Sequence, residues 1–77
     1  GELSNDGIIV SMNNNSNTIV VDASFELNGI YNIYNTHGQS VQAGDVSKNI
    51  SFDQVPGVYF VHINEINRTY KFEIIKN

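Results

Sequence analysis

No cysteine occurs in this sequence, so neither a disulfide framework nor a thiolate metal site is open to it. That matters because the chain has only 77 residues. A domain of that size buries about 60–65% of the surface its unfolded chain exposes, and small domains usually add a staple. Stability must come from packing, with self-association as the available supplement. Bases are scarce too: Lys48, Arg68, Lys71 and Lys76 stand against eight acids, for a net charge of −4. Four dispersed cations make no track for a phosphate backbone, so nucleic acid is not expected as a partner. No apolar run approaches the ~20 residues of a membrane helix, so membrane insertion is not expected either. The sequence opens on Gly1 rather than Met, which reads as the remnant of a cleaved tag on a trimmed form, with a mature form that has lost a targeting segment as the alternative. Charged residues make up only 16%, and Asn is used heavily in their place. A surface solvated by Asn, Ser and Thr fits an exported protein, in the periplasm, on the outer-membrane surface or secreted.

What the chain does have is short β-forming segments divided by turns, with no helical periodicity. The densest is Val55-Pro56-Gly57-Val58-Tyr59-Phe60-Val61-His62-Ile63. Pro56 presets φ near −65° for a tight turn, and Gly57 accepts the positive φ that follows. Val58 and Phe60 lie on one alternating set, Tyr59, Val61 and Ile63 on the other. A strand apolar on both sides predicts a central position with cover over most of both faces. Before it, strands are expected at 8–13, 18–25, 30–35, 39–43 and 48–53, and after it at 68–75. Residues 1–6 are polar and expected to fray. Asn13–Asn17, Asn28-Gly29, Thr36–Gln39, Gly44-Asp45 and Asn64–Asn67 are the breaks, with Gly38 the left-handed position of a hairpin loop. About seven strands with turns every 8–12 residues predict a single all-β domain, a small antiparallel sandwich over 1–77. Tyr31, Ile33, Ile50, Phe52, Tyr59, Val61, Phe72 and Ile74 are its expected core.

Catalytic and metal constellations are not found. His37 falls in a turn and His62 near the end of the central strand, and no carboxylate has zinc-type spacing to either. Asp22, Asp45, Asp53 and Glu65 sit at strand ends without the ladder of a calcium loop; Asp53 suits bonding to backbone amides beside the Pro56 turn. The serines have no nucleophile elbow and no base held against them. No cofactor is expected, and the chain is not read as an enzyme. The Asn-x-Ser/Thr triplets at Asn14, Asn49 and Asn67 match a glycosylation motif that so Asn-rich a chain produces by chance. The tyrosines are the residues with a function to offer. Tyr31, Tyr59 and Tyr70 fall on core sets, whereas Tyr34 falls opposite Tyr31. Tyr34 with Phe60 is the candidate interaction surface, for another protein or a second copy; exposed tyrosines would alternatively stack glycans.

Ile33-Tyr34-Asn35, Gly38-Gln39 with Val41, the Ile50/Phe52 strand, Val55-Pro56-Gly57-Val58-Tyr59-Phe60-Val61 and Tyr70-Lys71-Phe72 follow at recognisable intervals. Over residues 30–76 the chain resembles the C-terminal sorting domains of the type IX (Por) secretion system. It is equally similar to small stand-alone exported proteins of the same Bacteroides-type bacteria. The resemblance implies an immunoglobulin-like Greek-key sandwich without enzymatic activity, and, for the sorting domains, a role in carrying cargo across the outer membrane. The sorting family opens on an Asn-Pro pair that residues 1–10 lack, which makes the stand-alone kind the preferred reading.

Overall fold

The computed structural model describes residues 7–76; the expected frayed stretch 1–6 lies outside them. Seven strands run β1 (Ile8–Asn13), β2 (Thr18–Ala23), β3 (Ile30–Tyr34), β4 (Ser40–Asp45), β5 (Asn49–Ser51), β6 (Gly57–Ile63) and β7 (Arg68–Ile74), with one 3-10 turn at Asn64–Ile66. They form a three-stranded sheet, β1-β2-β5, and a four-stranded sheet, β4-β3-β6-β7. Every pairing is antiparallel. The chain crosses between the sheets from β2 to β3, β4 to β5 and β5 to β6, which makes this an immunoglobulin-like sandwich whose fourth strand sits beside the third. β6 is flanked by β3 and β7, as its doubly apolar sequence predicts.

The core follows from period-two alternation. Ile8, Ile19, Val21 and Ile50 from one sheet meet Tyr31, Ile33, Tyr59, Val61, Ile63, Phe72 and Ile74 from the other, and all are buried. Phe52, just past β5, is fully buried between them. Its ring stands edge-on to Tyr59 and Phe72 at centroid separations of 5.1 and 5.5 Å, an arrangement that aligns ring edges with ring faces. All eight expected core residues are buried; Ile8, Ile19, Val21 and Ile63 complete the set.

Several expectations are corrected. Cover is one-sided: Val58, Phe60 and His62 on the outer face of β6 are only half-buried, because the described residues form two sheets and no third layer over this one. β2 stops at Ala23, and Phe25 is 46% exposed. β5 spans three residues, since the chain on either side is crossing between sheets. Gly44 and Asp45 are paired strand residues opposite Tyr31 and Ile30 rather than a turn. A Cβ at Gly44 would come within 3.0 Å of Tyr31 Oη and 3.2 Å of its ring. The glycine serves close approach of an aromatic ring there, not a bend.

The turns are built from Asn and Gly. Asn17 and Asn67 take left-handed φ of 52°, a conformation Asn tolerates better than other residues with a Cβ. Gly38, at φ 79°, closes the hairpin between β3 and β4. Asn35 Oδ1 accepts the His37 and Gln39 N–H groups there at 2.9 and 3.0 Å.

Candidate functional site

The outer face of the four-stranded sheet is where the sequence places its candidate surface. Tyr34 and Phe60 are directly opposed on β3 and β6, and Phe60 is opposed on its other side by Lys71 of β7. One row therefore reads Tyr34–Phe60–Lys71. The next reads Ala43–Asn32–His62–Thr69, and beyond Phe60 on the other side Val58 pairs with Glu73. Tyr34 and Phe60 are half-buried rather than freely exposed, because neighbouring side chains on a twisted sheet shield each other's flanks. The most exposed apolar group on this face is Ile30, at 50%.

His62 Nδ1 lies 2.8 Å from Thr69 Oγ1 across the β6–β7 pair. His37 stands in the hairpin loop after β3, whereas His62 pairs with Asn32 near the opposite end of that strand pair. The fold does not bring the two imidazoles together. The carboxylates are dispersed as well. Asp53 makes an exposed ion pair with Lys76 at 3.2 Å, not the bonds to backbone amides expected of it. Glu65 accepts the Asn28 N–H at 2.9 Å and so ties the β2–β3 crossover to the 3-10 turn. Asp22 is exposed on β2, and Asp45 ends β4. Among the described residues no group of three or more His, Cys, Asp or Glu is placed to hold a metal ion. No helix among them is long and apolar enough to cross a membrane.

The tyrosines divide as their alternation predicts. Tyr31 and Tyr59 are buried, Tyr70 packs half-buried against the core, and Tyr34 alone points outward. Pro56 sits at a bend, and Gly57 begins β6 with φ 151° and open space where a Cβ would be.

Two features escape a reading of the sequence. Gln42 Nε2 donates to Tyr31 Oη and to Ser51 O, each at 2.9 Å, linking β4 to β5 across the sandwich. Nothing in the local Val41-Gln42-Ala43 sequence marks that glutamine. The second is a cleft of about 220 Å3 at the end of β2, walled by Phe25, Leu27 and Val46. Asp22-Ala23-Ser24-Phe25 alternates like a strand, and what sets it apart is that no described residue pairs with it on the β5 side, which no local pattern encodes. Comparison with family models, with curated proteins and with solved structures finds no match to this chain.

Proposed function

We propose that the chain is a non-catalytic, exported β-sandwich that works by contacting another protein, with the outer face of the four-stranded sheet as its contact surface. The observation that carries this reading is the Tyr34–Phe60 pair, an aromatic couple in the middle of a sheet face over which the described residues place no further layer. An uncovered aromatic pair with a mixed-charge border, Lys71 and Glu73 here, has the anatomy of an interface core and rim. A glycan platform would draw on a row of outward tyrosines, and only Tyr34 faces outward, which favours protein over sugar. The resemblance to type IX sorting domains supports export as the setting.

The test is site-specific photo-crosslinking in the source organism, with the reactive group at position 34 or 60. Ser11, exposed on the outer face of the other sheet, serves as the control position. A discrete protein adduct from positions 34 and 60 and none from position 11 is the expected result. Absence of any adduct from 34 and 60, or equal labelling from all three, defeats the proposal. Fractionation of the same cells tests export, and recovery in the cytoplasm would overturn that part.

A further inference from the structure

The edge of the three-stranded sheet beside Ala23 is open. β5 pairs with β2 only through Thr18, Ile19 and Val20, and the last bond across is Val21 N–H to Lys48 O at 2.8 Å. Upstream of Lys48 the chain belongs to the crossover from β4, where the Val46 N–H is bonded to Gly29 O at 2.9 Å. On the other side of β2, the Ser24 N–H is bonded to Gly7 O at 3.1 Å. Backbone groups of successive residues in an antiparallel strand point to alternate edges. The N–H and C=O of Ala23 therefore share the edge of Val21 and face the gap, and no described residue pairs with them there. The cleft lies in that same gap.

The remaining edges are each blunted. β4 carries a register shift against Ile33/Tyr34, and β5 is three residues long. β1 and β7 lie against each other, with the Ile75 N–H bonded to Asn14 Oδ1 at 3.0 Å. Bulges, short strands and cover are the usual protections of an edge. Among the described residues none of them protects the gap beside Ala23.

We propose that this gap accepts a strand: an extended segment of a partner protein adds beside Ala23, in line with β5, and sets one apolar side chain among Phe25, Leu27 and Val46. This rests on the reading of the chain as a protein-contact module and gives it a second, chemically defined site. A free main-chain donor and acceptor on one edge are the complement of another strand, and an adjoining pocket selects its side chain. At about 220 Å3 the cleft is smaller than the ~300 Å3 at which small-molecule sites begin, but it suits one branched or aromatic side chain. Lys48 borders it with no ion pair among the described residues, while Asp22, also at the border, alternates to the outer face of β2. A partner segment with an acidic residue beside its apolar one meets that cation. A second copy is the poorer occupant, because each β2 offers only its end here.

The test selects random displayed 12-residue peptides against the full chain, then measures their binding to variants. Ala23→Pro removes the N–H that faces the gap and no ladder bond, a placement proline tolerates in an edge strand. Phe25→Ser empties the pocket wall from an exposed position, and Phe60→Asp alters the outer sheet face instead. The expected peptides alternate apolar and polar residues with an acid. They lose at least tenfold in affinity to Ala23→Pro and to Phe25→Ser, bind Phe60→Asp unchanged, and slow amide exchange at Ala23. Peptides that bind Ala23→Pro as tightly as the parent chain overturn the site. Loss confined to Phe60→Asp overturns it while leaving the sheet-face reading intact. Failure to select any peptide overturns it as well. A dimer that Ala23→Pro converts to monomer would give the gap to a second copy and overturn the partner assigned here.

Discussion

Tyr59 donates its hydroxyl proton to the carbonyl oxygen of Val55 at 2.7 Å, a bond from the start of β6 back over the bend at Pro56. The ring stays buried in the core while the hydroxyl fixes the angle at which the chain passes from the three-stranded to the four-stranded sheet. This is the tyrosine corner of immunoglobulin-like sandwiches, at the matching crossover. Tyr59→Phe keeps the ring contacts and leaves the Val55 carbonyl without that donor. A loss of about 1–2 kcal/mol is expected, read as a lower urea midpoint with an unchanged slope. A variant as stable as the parent would show that the bend is fixed by Pro56 and Gly57 alone.

Gly44 is required by Tyr31 rather than by the backbone. Its place in β4 puts a new Cβ against the Tyr31 hydroxyl and ring edge, so Gly44→Ala must push a buried ring that also accepts from Gln42 at 2.9 Å. Overpacking of this kind costs about 1–3 kcal/mol, whereas alanine for glycine in an unobstructed strand is a gain. The sign of the change in thermal midpoint therefore decides: a decrease is expected, and an increase would mean the ring has room to move. Combining Gly44→Ala with Tyr31→Leu should recover part of the loss, because the two positions share one contact.

The ion pair between Lys76 and Asp53 should contribute little. Both side chains are well exposed, so water and salt screen the pair and its ordering entropy offsets most of the attraction. Asp53→Asn is expected to stay within about 0.5 kcal/mol of the parent in chemical denaturation. A larger loss that disappears at high salt would make this contact the clamp on the C-terminal end of β7.

How far the sequence discloses all this depends on whether a feature is local. Tyr70-Lys71-Phe72-Glu73-Ile74 alternates cleanly and becomes β7 with Phe72 and Ile74 inside; Val58–Ile63 carries apolar residues on both sets and becomes an interior strand. The loop geometry at Gly38 and Asn17 is legible for the same reason, since left-handed φ is a property of single residues. Tertiary origin hides the rest. Gly44 resembles a turn residue until Tyr31 is placed beside it, and Phe25 resembles a strand residue although β2 stops at Ala23. Val58 and Phe60 are apolar yet only half-buried, which periodicity cannot distinguish from burial on both faces. The Tyr34–Phe60 pairing needs the β3–β6 register, and that register is set by two segments more than twenty positions apart.

Phe52 is the residue on which the two sheets converge, and its position makes a sharp prediction. It lies outside any strand, held by its own N–H on Asn17 O at 2.9 Å, with its ring edge-on to both Tyr59 and Phe72. Phe→Ala at a fully buried site costs about 3–5 kcal/mol, while a domain of this size has a total stability of about 4–12 kcal/mol. With no cysteine for a disulfide and no metal-binding cluster among the described residues to compensate, Phe52→Ala is expected to leave a large unfolded fraction at 37 °C, read as lost dispersion in the amide proton NMR spectrum. Phe52→Leu keeps most of the volume and loses the ring–ring geometry, so it should fold with a reduced midpoint. If Phe52→Ala folded as well as Phe52→Leu, the sheets would have closed over the cavity, and the inter-sheet spacing would be set by the aliphatic residues Ile19, Ile33 and Val61 instead.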